Sequence, residues 1–139
     1  MSVYVIGTDG SDTAARAAER AAELAKATGA SIHIVCAYVG RATTTVGVGS
    51  DVVSLSAQND AQQIVDQQAA AYRLAGIKAT VAVSEDKPAA FLLSEAERVE
   101  AELIVVGNRR MQGVQRVLGA VANDVVHRAP CDVLLVKTV

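Results

Sequence analysis

The stretch VYVIGTDGSDTAARAAERAAELAKATGASIHIVCAYV, Val3 to Val39, decides the fold. Val3 to Ile6 is a short β-branched run that breaks at Gly7-Thr-Asp-Gly10, and Ser11 or Asp12 then stands where a helix takes its cap. The helix predicted from there to about Thr28 is built on alanine, with Arg16, Glu19, Arg20, Glu23 and Lys26 mainly on its other side. Small side chains let such a helix lie close to a sheet. Gly29 ends it as a C-cap residue should, and Ser31 to Val39 reads as a second strand.

The same alternation continues outward from this unit. Gly40 to Ser56 has Gly, Ser and Thr clusters with weak periodicity and predicts a mobile surface loop, and Gly47-Val-Gly49 within it is a failed dinucleotide fingerprint. A helix is predicted from about Ala57 to Ala75, with Ala61, Ile64, Gln68 and Ala71 at helical spacing, and Gly76 stops it. Lys78 to Ser84 is the third strand. Pro88 suits the first turn of a helix reaching about Glu100, with Ala89, Leu92, Leu93, Ala96 and Val99 inward. Leu103 to Val106 is the fourth strand, a last helix runs from about Gly113 to Arg128, and Val133 to Val136 is the fifth strand beyond Pro130. Apolar strands alternating with helices imply an α/β fold, an open parallel sheet with helices on both faces. No linker interrupts it, so residues 1–139 are expected to form one domain.

Composition narrows the function. Apolar residues make up 51% of the chain, but no run is long enough to span a bilayer. The N-terminus begins at once with a strand and offers no signal-peptide pattern, so a cytoplasmic location is expected. A net charge of -2 and 3% aromatic residues argue against nucleic acid as a partner. Cys36 and Cys131 lack the spacing of a zinc or redox pair and read as buried small hydrophobes.

In an open parallel sheet a ligand sits beyond the carboxyl ends of the strands, where strand order reverses. The loops there are Gly7 to Asp12, Val39 onward, Ser84 to Pro88, and Gly107 to Gly119. Asp9 offers a carboxylate to the donors of a ligand, such as a ribose hydroxyl or an exocyclic amine, or else only shapes its turn. Gly107 lets a backbone come close to a ligand, and the start of the last helix offers N–H groups to an anion. No Walker loop, His-Glu-x-x-His, Cys-x-x-Cys or Gly-x-Ser-x-Gly is present. His33, within a strand, and His127, near a helix C-terminus, read as structural.

Gly7-Thr-Asp-Gly-Ser11, Leu103-Ile-Val-Val-Gly-Asn-Arg109, Leu118-Gly-Ala-Val121 and His127-Arg-Ala-Pro-Cys-Asp-Val-Leu-Leu-Val136 together resemble the universal stress protein family over essentially the whole chain. The resemblance implies a Rossmann-like five-stranded parallel sheet of the adenine nucleotide alpha hydrolase type, in the order 3-2-1-4-5. It implies a homodimer through Val133 to Val136, and a site for ATP, ADP or AMP, with or without Mg2+. Family members that bind ATP have a loop Gly-x-x-Gly, nine residues, then Gly-Ser/Thr. Here Gly107 matches the first glycine, Arg110 replaces the second, Gly119 matches the third after one residue fewer, and Ala120 takes the hydroxyl position, followed by Val121. Thr8, Asp9, Ala37 and Val106 match the adenosine end. The triphosphate end is altered, although guanidinium groups such as Arg109 and Arg110 are themselves good phosphate ligands.

Three functions remain distinct at this point. The first is a regulatory stress protein binding an adenine nucleotide, with AMP or ADP held at least as well as ATP. The second is a dimeric interaction module of the same family with no cofactor, in which Arg110 fills the phosphate position. The third is a receiver-type phosphoacceptor using Asp9, Asp86 and Lys137, on a sheet of order 2-1-3-4-5. The sequence shows no general base aimed at a γ-phosphate, so at most slow ATP hydrolysis is implied.

Overall fold

The computed structural model of the chain describes residues 2–39, 47–108 and 118–138, with residues 47–56 described by their backbone only. The strands are β1 (Val3–Gly7), β2 (Ser31–Tyr38), β3 (Ala79–Glu85), β4 (Leu103–Asn108) and β5 (Asp132–Lys137). Between them run α1 (Asp12–Thr28), α2 (Gly47–Leu74), α3 (Pro88–Arg98) and α4 (Ala120–Arg128). All pairings are parallel and the order is β3-β2-β1-β4-β5. That order sets aside the receiver-type reading.

The pleat divides the core between two layers. Tyr4 and Ile6 of β1 point to one face with Ile32, Ile34 and Val105, under α1 and α2. Val5, Val35, Ile104 and Val106 point to the other, under α3 and α4. Alanines 18, 21 and 25 of α1 are buried against the sheet, and Tyr72 Oη donates to the Ala18 carbonyl at 2.9 Å, joining α2 to α1. Ser11 caps α1 by accepting from the Ala14 N–H at 3.2 Å, and Gly29 closes it at φ 79°.

Several expectations need correction. Residues 47–56, expected as loop, belong to α2, while residues 40–46 lie outside the described residues. Gly47 and Gly49 each cost a helix about 1 kcal/mol, but elongating an established helix costs little entropy per added hydrogen bond. The buried stripe of α2 is Ala61, Val65, Ala69 and Tyr72; Ala71 is exposed, and Ile64 and Gln68 flank the stripe. The last helix starts at Ala120, because Gly119 is an extended N-cap at φ −65°, ψ 162°; residues 113–117 are outside the described set. On α3, Phe91 and Glu95 are buried beside the expected apolar positions, and Val99 lies beyond the helix end. Cys36 is buried as expected, but Cys131 is only half-buried.

Candidate functional site

β1 lies between β2 and β4, the two strands reached by crossovers in opposite directions, and a cleft of about 280 Å³ opens beyond their carboxyl ends. Its floor is apolar. Val35 and Ala37 come from β2, Val106 from β4, Leu92 from α3 and Val121 from α4. The rim is polar, with Thr8, Asp9 and Ser11 from the β1–α1 turn and Thr13 from the first turn of α1. An apolar slot beside a few hydroxyls and one carboxylate suits a flat heteroaromatic ring joined to a polar group.

Hydrogen bonds fix the turn. Asp9 Oδ1 accepts from the Ser11 N–H at 2.9 Å, Thr8 Oγ1 accepts from the Gly10 N–H at 3.2 Å, and the Thr8 N–H reaches the Val35 carbonyl at 2.9 Å. Gly10 has φ +81°, and a Cβ there would also meet Ile64 Cδ1 at 3.1 Å. Asp9 therefore does shape its turn. A carboxylate has two oxygens, however, and Asp9 also lines the cleft, so the second remains suited to a ligand's donors. Burial and the Asp9 charge push the Cys36 thiol upward, which leaves it a poor nucleophile.

The glycines of the cleft differ in purpose. A Cβ on Gly107 would lie 3.0 Å from Thr138 Cγ2 and 3.3 Å from both Ala17 Cβ and the Thr13 carbonyl oxygen. Gly107 is thus required by the close packing of α1 on β4, whatever occupies the cleft. A Cβ on Gly7 would come within 2.9 Å of Leu92 Cδ1, so Gly7 makes room for the leucine that closes the floor. Among the described residues a Cβ on Gly119 would meet only Asn108 Oδ1, at 3.6 Å, and the φ of −65° suits any residue. No described neighbour requires that glycine.

Gly119 N–H donates to Asn108 Oδ1 at 3.3 Å, tying the start of α4 to the end of β4. Among the described residues no side chain caps α4, and its first N–H groups and the positive end of its dipole face the loop side of the sheet. Among the expected site residues, Thr8, Asp9, Ala37, Val106, Gly107 and Val121 are brought together around the cleft. Gly119 and Ala120 stand immediately before Val121 at the helix start. Arg109 and Arg110 lie outside the described residues. Pro88, at the end of one candidate loop, and Leu92, expected inward, also line the wall although neither was an expected site residue; their i,i+4 spacing at the start of α3 was the signal for a shared face. Among the described residues no cluster of His, Cys, Asp and Glu is placed to hold a metal ion.

The model of the Universal stress protein family matches residues 3–137. The chain belongs to the universal stress protein family. Its relatives within that family include universal stress protein MJ0531 of Methanocaldococcus jannaschii, 32% identical over 96% of this chain and 80% of that one. Universal stress protein Rv1636 of Mycobacterium tuberculosis is 32% identical over 99% of both chains. A solved universal stress protein in complex with cAMP superposes with a TM-score of 0.76 at 30% identity, covering 99% of this chain and 98% of its own.

Proposed function

We propose that this universal stress protein binds an adenine nucleotide in the cleft and works as a cytoplasmic regulatory module, presenting a nucleotide-dependent surface to partners. One observation supports it most. Segments far apart in sequence bring Asp9, Ala37, Val106 and Val121 around one apolar slot with a polar rim, at the switch point of the sheet. The solved relative in complex with cAMP shows that a chain 30% identical to this one takes an adenine nucleotide.

In this reading the base lies against Val35, Ala37 and Leu92, with Val106 beside it. Asp9 and Thr8 take the ribose hydroxyls. Gly119, Ala120 and the start of α4 receive the phosphate nearest the ribose, and Arg109 and Arg110, which precede them in sequence, supply guanidinium groups to it. Because Arg110 and Ala120 replace a glycine and a hydroxyl, AMP and ADP are held at least as well as ATP. A divalent ion such as Mg2+ would accompany the longer phosphates. The chain pairs with a second copy through Val133 to Val136, and no hydrolytic role is assigned to it.

Titration calorimetry with AMP, ADP, ATP and cAMP, with GMP as a control, tests the reading. Saturable heat from the adenine nucleotides, with ATP no tighter than AMP, is expected. No heat from any of them at millimolar ligand would favour the cofactor-free interaction module.

A further inference from the structure

A second group of reactive side chains lies away from the cleft. His33 of β2 is 2% exposed. Its Nε2 stands 2.8 Å from Glu95 Oε1, and its Nδ1 stands 2.7 Å from Thr80 Oγ1 on β3. Arg98 holds the same carboxylate from the other side, Nε to Oε2 and Nη2 to Oε1, both at 2.8 Å. The Arg98 clamp and the His33 hydrogen bond outweigh burial and hold Glu95 at about 2, well below the usual carboxylate range.

An ionised carboxylate only accepts hydrogen bonds, so Nε2 carries a ring proton, and in the tautomer protonated there Nδ1 accepts from the Thr80 hydroxyl. A hydroxyl, a base within hydrogen-bond reach and an acid that orients the base form the arrangement that activates a nucleophile. The exposure is also that of a working pair, since the ring is sealed in the core while Thr80 is exposed.

The strand edge adds a further group. β3 is the terminal strand, and Arg73 Nη2 donates to the Ala79 carbonyl at 2.7 Å, so Ala79 faces outward from the sheet. Backbone groups alternate along a strand, which turns the Val81 N–H, directly after Thr80, to the same open edge. There it can donate to an oxyanion developing beside Thr80.

We propose that Thr80 is a self-acylation site, activated by His33, that takes acyl groups from small activated esters and thioesters. Thr80 Oγ attacks the carbonyl carbon as its proton passes to His33 Nδ1, and a C–O bond forms. The bond from that carbon to the donor's oxygen or sulfur then breaks. The leaving group departs with the proton returned from His33, and a threonine ester remains. Glu95 is a positioning residue, holding the ring in the tautomer the step requires.

Incubation with p-nitrophenyl acetate, followed by peptide mapping in a mass spectrometer, tests this. The acetyl group should appear on Thr80 ahead of every lysine. Thr80→Val should abolish that adduct in protein that remains folded by circular dichroism, Thr80→Ser should retain it, and His33→Gln should slow it about 100-fold. Glu95→Gln should also slow it, with Glu95→Asp recovering part of the rate. Acetylation spread over lysines with none on Thr80, or an unchanged Thr80 rate in folded His33→Gln protein, would overturn the proposal.

Discussion

Gly107 and Gly119 match two glycines of one family loop, yet among the described residues packing demands only the first. Adding a methyl at Gly107 forces Thr138, Ala17 and the Thr13 carbonyl apart. Gly107→Ala should therefore lower stability by about 1–3 kcal/mol in urea denaturation. Gly119→Ala should cost no more than about 1 kcal/mol, the scale of an N-cap preference, but should weaken AMP binding, because the space its methyl takes is next to the proposed phosphate. Asp9 separates two roles in the same way. Asp9→Asn keeps an oxygen to accept from the Ser11 N–H, so melting should hardly move, while loss of the charge should weaken AMP by about fivefold in calorimetry. Ala120→Ser restores a hydroxyl donor worth about 1 kcal/mol and should tighten ATP about fivefold.

At the scale of elements, α3 is tied to the sheet through the buried Glu95–His33 hydrogen bond as well as through its apolar face. Glu95 is held at about 2 against an ordinary 4.5, so its contribution is complete above about pH 4.5 and is lost as pH falls toward about 2. The shift corresponds to about 3 kcal/mol. Glu95→Gln should lack that part of the acid dependence, measured as the difference between the two proteins' urea midpoints at pH 5 and pH 2.5. This pair was not legible in the sequence. Glu95 sits among the polar positions of its helix, and its partner His33 is 62 residues away. By contrast α1 could be read entirely, since Ser11, its alanine face and Gly29 are all local signals. The start of α2 could not, because Gly47 and Gly49 argue for a loop at short range, whereas the helix is held by the stripe from Ala61 to Tyr72.

The whole molecule leaves two strand edges. Val133, Leu134, Leu135 and Val136 of β5 are each half-buried in a single copy. An apolar edge strand of this kind invites pairing. The chain should therefore run as a dimer in light scattering, and Val133→Lys should shift it to a monomer with unchanged circular dichroism. The cleft shows how far a sequence can locate a site. Alternating strands and helices place the ends of β1, β2 and β4 together, which made Asp9 and Gly107 candidates, and the family resemblance added Ala37, but which wall α3 supplies depends on its packing angle, and the place of Leu92 in the cleft emerged only in three dimensions. Amide chemical-shift mapping during an AMP titration should perturb Thr8, Asp9, Ala37, Val106, Gly107, Gly119 and Val121 in a saturable manner. Saturable shifts confined to another surface, or none at millimolar AMP, would contradict nucleotide binding in the cleft.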